Sequence, residues 1–154
     1  MLAVLKIGAP KEVLDGEKRV AMTPDSAAFL QKLGYKCVIQ SGAGLASGFS
    51  DVSYVTKGVE IAESDQEFWD GCDIFVKVCP PNLEEIDFID SGKLIISFFY
   101  PSENKVLLEK TANKGISVIA MDLVPRISRA QKMDALSSMA NIAGYRAVIE
   151  AGHN

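Results

Sequence analysis

Apolar and polar positions along this chain change period repeatedly, and the changes predict alternating strands and helices. Short apolar runs at residues 2–8, 35–40, 59–62, 72–78, 93–99 and 116–121 read as strands, with 93–99 the most apolar and therefore central. Helix signals fall between them. Thr23-Pro24-Asp25 opens one helix: Thr at the N-cap, Pro at the first position, Asp in the positive first turn. It runs to Leu33 and stops at Gly34. Further helices are expected over 51–57 with a stop at Gly58, over 65–70 capped by Ser64, over 83–89 after Pro80-Pro81, and over 102–113 with a stop near Gly115. A long helix spans about 130 to 151. Strands alternating with helices imply parallel βαβ units. The expected fold is a single α/β domain: an open, mostly parallel sheet with helices covering both faces, flavodoxin- or Rossmann-like, ending in the long helix.

Composition narrows this without changing it. The chain has 154 residues, 48% of them apolar, enough for one packed core. A domain of that size buries about 68–70% of the surface its unfolded chain exposes. With 23% charged residues and a net charge of −4, the chain does not read as disordered. No dense Lys/Arg run appears, so no nucleic-acid partner is expected. The longest apolar run, 94–100, is far short of the roughly 20 residues of a membrane span. Residues 2–8 read as a strand rather than a signal peptide.

Residue counts limit the chemistry. The single histidine, His153, stands next to the C-terminus, which disfavours His-based triads, His-rich metal sites and a central His base. No metal is expected. The three cysteines, Cys37, Cys72 and Cys79, lack CxxC spacing and suit a reducing compartment. Cys72 and Cys79, seven apart in one expected run, would face opposite sides of a strand and form no bridge. All three read as buried bystanders.

Four features are candidates for function. The loop Ser41-Gly42-Ala43-Gly44-Leu45-Ala46-Ser47-Gly48 follows a strand, as a dinucleotide fingerprint does, but that pattern wants glycine at position 47 and meets Ser there. A structural turn is the better reading. Arg19, on the loop after the first strand, and Lys77, near the end of another, would both reach the crevice at the C-terminal strand ends. There they either clamp a carboxylate or pair with acids such as Glu12 and Glu17. The third is 122–138, where Arg126, Gln131 and Asp134 bring a guanidinium, an amide and a carboxylate together. Its structural alternative is a capping network, with Ser128 as cap and Arg126 paired to Asp134. The fourth is a small-residue stripe, Ala140, Ala143, Gly144, Ala147 and Ala151, fit for close packing against the core, a partner or a second domain.

The segment Pro125-Arg126-Ile127-Ser128-Arg129-Ala130-Gln131 and its continuation Met133-Asp134-Ala135-Leu136-Ser137-Ser138-Met139 to Ala147 resembles the alpha subunit of proton-translocating NAD(P) transhydrogenases. The resemblance extends to Ile7-Gly8-Ala9-Pro10-Lys11-Glu12, Arg19-Val20-Ala21, Thr23-Pro24 and Ser41-Gly42-Ala43-Gly44, essentially the whole chain. The wider family includes alanine dehydrogenases. These carry a catalytic His near the positions of Ser97-Phe98-Phe99-Tyr100, where this chain has aromatics and no His. Arg19 and Lys77 fall where the resemblance expects keto-acid contacts in alanine dehydrogenase.

Without an acid/base the transhydrogenase branch fits better, since hydride passes directly between two nicotinamides. The resemblance implies NAD(H) contacts from Arg126, Ile127, Ser128, Gln131, Asp134 and Ser137. Gln131 would orient the carboxamide, and Arg126 would be steadied by Asp134. It also implies a second, fingerprint-bearing domain beyond the last helix and a homodimer of the NAD(H)-binding unit. An NADP(H)-binding domain and a proton-conducting membrane domain would complete the complex. This part would be a soluble domain facing the cytoplasm or organelle matrix, and inactive alone.

Overall fold

The computed structural model of the chain describes residues 4–153. Six strands form one all-parallel sheet: β1 Lys6–Ala9, β2 Lys36–Gln40, β3 Glu60–Ala62, β4 Ile74–Val76, β5 Leu94–Ser97 and β6 Ser117–Ala120. The helices are α1 Pro24–Lys32, α2 Asp51–Val55, α3 Asp65–Gly71, α4 Leu83–Phe88, α5 Lys105–Asn113 and α6 Ala135–His153. The strand order is β3-β2-β1-β4-β5-β6. The chain begins in the middle of the sheet, builds outward to β3, then crosses back past β1 and builds the other way. The reversal lies between β1 and β4, where doubly wound sheets open a crevice beyond their C-terminal strand ends.

Local chemistry explains the helix starts. Thr23 and Ser26 form a capping box at α1, with Pro24 at the first position, as the sequence predicts. Ser50 and Ser64 cap α2 and α3. Asn82 and Glu85 form a second capping box at α4.

The two faces differ. Over one, α3, α4 and α5 bury Phe68, Trp69, Ile86, Ile89 and Leu107 against Phe75, Ile95 and Phe99. Gly8 in β1 permits this closeness, because a Cβ there would lie 2.5 Å from Cys72 Sγ and 3.0 Å from the Phe68 ring. Over the other, α1 and α2 bury Met22, Ala27 and Tyr54 against Ala9, Cys37 and Ile39. That cover stops at the middle of the sheet. Ile96 is half-buried and Ile119 is 47% exposed, so helices lie on both faces but cover only part of the second.

Several boundaries differ from the sequence reading. Residues 2 and 3 of the expected first strand lie outside the described residues, and the ladder begins at Lys6 rather than earlier. The run at 72–78 pairs only over Ile74–Val76, so Cys72 and Cys79 do not share a strand: Cys72 ends α3 and Cys79 follows β4. Cys72 is buried outside any ladder, which an apolar run does not distinguish from a strand. The last helix starts at Ala135, not 130. Residues Ser128–Met133 form a tighter 3-10 turn, and Asp134 breaks the helical path between them. No residue of α6 is buried, so its small-residue stripe does not face the core.

Candidate functional site

At the crevice between β1 and β4 the charged side chains pair with one another. Lys77 follows β4, and its side chain is 1% exposed. Its Nζ donates to Glu85 Oε1 at 2.7 Å and lies 3.6 Å from Glu12 Oε2. Glu85 also accepts the Asn82 N–H at the start of α4, and Glu12 accepts the N–H groups of Val78 and Cys79. Arg19 forks onto Glu17: Nε donates to Oε1 at 2.8 Å and Nη2 to Oε2 at 2.6 Å. Of the two readings open for this pair, internal pairing is the one realised. Lys77 and Arg19 also line a shared concavity of about 400 Å³ with Val76, Ile96, Phe98 and Met139, and the Arg19 side chain is 43% exposed.

The glycine loop is a structural turn. The Asp51 carboxylate accepts the Gly42 N–H and the Ser41 hydroxyl, occupying the donors a phosphate would need. Gly44 lies against Tyr54, where a Cβ would come within 2.8 Å of its Oη and of the Phe49 carbonyl. Tyr54 Oη in turn donates to the Met22 carbonyl, tying this loop to the stretch ahead of α1.

The 126–137 segment behaves differently. A concavity of about 320 Å³ is lined by Arg126, Ile127, Ser128, Gln131, Asp134 and Ser137, the six residues singled out in the sequence. The tight turn over Ser128–Met133 puts Gln131 on the same concavity as Arg126, and Asp134 separates the turn from α6. Asp134 caps α6: its carboxylate accepts the Ser137 N–H at 2.9 Å and the Ser137 hydroxyl at 2.6 Å. Ser128 is therefore not the cap. These two bonds from Ser137 hold the Asp134 carboxyl below the usual carboxylate range, with a smaller contribution from the charge of Arg126. Neither the Arg126 guanidinium nor the Gln131 amide has a hydrogen-bond partner among the described residues, and both are exposed. Arg126 reaches Asp134 only through longer-range attraction.

This donor set can make directional hydrogen bonds to a planar polar ligand. The exposed Gln131 amide offers a donor and an acceptor in one plane, and Arg126 supplies donors beside it. Asp122 heads the 122–138 candidate and Tyr100 ends the run where alanine dehydrogenases carry their His, but nothing in the sequence links the two. Their relation depends on a backbone angle that no motif encodes.

The alternating parallel fold and this loop place the chain in a family of dehydrogenase-like domains: it belongs to the alanine dehydrogenase/PNT N-terminal domain family, which matches residues 8–143. The NAD(P) transhydrogenase subunit alpha of Cereibacter sphaeroides is 60% identical over 150 residues, covering 97% of this chain and 29% of that protein. The alanine dehydrogenase of Bacillus subtilis is 31% identical, over 92% of this chain and 36% of its own length. Among solved structures, the transhydrogenase of Sinorhizobium meliloti superimposes with a TM-score of 0.89 at 37% identity, over 96% of this chain and 44% of its own. The chain thus spans less than half the length of these relatives. Its nearer likeness is to transhydrogenase alpha subunits, and alanine dehydrogenase is the more distant branch.

Proposed function

We propose that this chain is the nicotinamide-positioning half of the NAD(H)-binding unit of a proton-translocating NAD(P) transhydrogenase. The observation that carries this reading is the concavity at 126–137, where Arg126 and Gln131 stand uncommitted while the other charged candidates are paired internally. Bound there, NAD(H) would supply the hydride that passes directly to NADP⁺ on a separate domain. The chain's own residues would position and shield. Gln131 orients the carboxamide through paired donor and acceptor atoms. Arg126 approaches from the loop entry, and Asp134, locked by Ser137, keeps a negative charge in reach of it. The Ile127 and Ser128 backbone forms the rim. Such a reaction asks for alignment rather than an acid or base, and His153 sits at the far end of α6 from this loop.

The second domain of the unit would follow α6. Exposed Met139, Ile142, Tyr145, Val148 and Ile149 support a role for that helix in contact with it or with a second copy in a homodimer. The NADP(H)-binding and membrane domains would complete the complex, with this part on the cytoplasmic or matrix side. No helix among the described residues is long and apolar enough to cross a membrane.

The test uses Gln131→Asn in the full-length protein. Shortening the amide by one methylene withdraws it by about 1 Å, so hydride transfer from NADH to NADP⁺ should fall on the order of a hundredfold while NADH affinity changes little. Unchanged turnover overturns the role of Gln131. Pyruvate- and ammonia-dependent NADH oxidation by the wild-type protein would favour the alanine-dehydrogenase reading instead.

A further inference from the structure

The turn between β5 and α5 contains a backbone conformation that its side chain disfavours. Tyr100 has φ +47°, the one non-glycine residue with positive φ among the described residues. Its ring stacks on Phe98, centroids 6.1 Å apart and planes 22° apart. The turn aims two consecutive amides at one point: Phe99 N–H and Tyr100 N–H donate to the two oxygens of Asp122, at 2.6 and 3.1 Å. Successive N–H groups converging in this way form an anion-binding nest, and bonds to a charged acceptor are the stronger kind. On the other side of the turn, the Asn104 amide donates to the carbonyls of Phe99 and Tyr100 at 2.9 and 3.3 Å. The nest is thus built by the turn that follows β5, while its occupant comes from elsewhere. Asp122 lies in the short turn Met121–Leu123 after β6, four residues before Arg126.

We propose that Asp122 is a positioning residue. By occupying the nest at Phe99 and Tyr100 it ties the stem of the 126–137 loop to the end of β5, and so sets where Arg126 and Gln131 stand. Asp134 anchors the other end of the same loop through the α6 cap. The loop is then held at both ends by a carboxylate on backbone amides, leaving its middle free for a ligand. The functional half of this inference rests on the NAD(H) reading above. The mechanical half does not.

The experiment separates them. Trypsin cleavage at Arg126, Arg129 and Lys132 is compared with cleavage at the remote Lys32 and Lys36 in wild type, Asp122→Asn and Asp122→Ala, with sites mapped by mass spectrometry. Losing the charged acceptor should accelerate loop cleavage roughly tenfold in the alanine variant and less in the asparagine variant, which keeps one acceptor. Lys32 and Lys36 should be cut at wild-type rates. Unchanged loop cleavage, or equal acceleration at every site, overturns the anchor. The asparagine variant serves if the alanine variant does not fold. In the full-length protein the same substitutions should lower kcat for hydride transfer in the same graded order, with a smaller change in KM for NADH. Looser loop cleavage with unchanged kcat leaves the anchor standing and overturns the NAD(H) reading of the loop.

Discussion

Two clusters of charged residues stand on this domain, and their states are opposite. At the switch between β1 and β4, Lys77, Glu12, Glu85, Arg19 and Glu17 satisfy one another, and the Lys77, Glu12 and Glu85 side chains are 1%, 3% and 8% exposed. At 126–137, Arg126 and Gln131 have no hydrogen-bond partner among the described residues. The fold-level rule points to the first as the ligand crevice. The bonding points to the second. A side chain spent on its own protein's carboxylate gives little to a ligand, whereas an exposed guanidinium beside a free amide costs the fold almost nothing and remains available. Position in a sheet proposes one site, and the bonding of the polar groups proposes the other.

The sharpest way to break this comparison is to truncate one cation in each cluster. Lys77→Ala leaves Glu12 and Glu85 buried without their shared cation. Removing one member of a buried ion pair costs about 3–5 kcal/mol, read from the urea midpoint. Arg126→Ala removes an exposed, unpaired group and should shift the same midpoint by less than about 0.5 kcal/mol. Similar costs for the two variants would mean that the clusters are not in opposite states.

That contrast was only partly legible in the sequence. Alternation of strand and helix signals predicts a parallel sheet, and Thr23-Pro24 marks the start of α1. Glu12 and Glu17 were visible as partners for Lys77 and Arg19. Nothing local reveals that Glu85 both closes the α4 capping box and holds Lys77, because that pairing depends on how α4 packs beside β4. Strand ends were read too long wherever apolar side chains are buried in loops, as at Phe99. Arg126, Gln131 and Asp134 stood out by their chemistry and spacing, while Ile127, Ser128 and Ser137 and the role of all six came from resemblance. The gap between the 3-10 turn and α6 was invisible because Asp134 interrupts helical geometry without interrupting helical composition. The Tyr100 turn was missed because a left-handed residue usually announces itself as glycine, and here the fold imposes it on an aromatic.

A smaller effect appears in acid. The Arg19 side chain hydrogen-bonded to Glu17 holds that carboxyl at about 2, against its ordinary 4.5. A folded value below the unfolded one contributes stability that is fully present above about pH 4.5 and is lost as the pH falls toward about 2. Glu17→Gln should therefore flatten that part of the acid limb in a series of urea midpoints against pH. Parallel curves for wild type and variant would show that Arg19 is not committed to Glu17. Arg126→Ala, outside this cluster, should leave the limb nearly as it is in wild type.

The smallest effect sharpens the same boundary. The Cys79 thiol donates to Glu17 Oε2 at 3.3 Å, and burial, followed by that bond and the charges of Glu12 and Glu17, pushes its pKa up to about 11. The thiolate is the reactive form, so at pH 8 only about one part in a thousand is available. Iodoacetamide should label Cys79 far more slowly than a free thiol, and Cys72, pushed to about 12 chiefly by burial, more slowly still. Glu17→Gln removes the Glu17 charge and weakens its bond but leaves burial in place, so labelling of Cys79 should rise severalfold without reaching the free-thiol rate. Labelling of wild-type Cys79 at the free rate would mean that the cluster is open to solvent. The first crevice would then again be a candidate for ligands, and the contrast with the 126–137 loop would lose its basis.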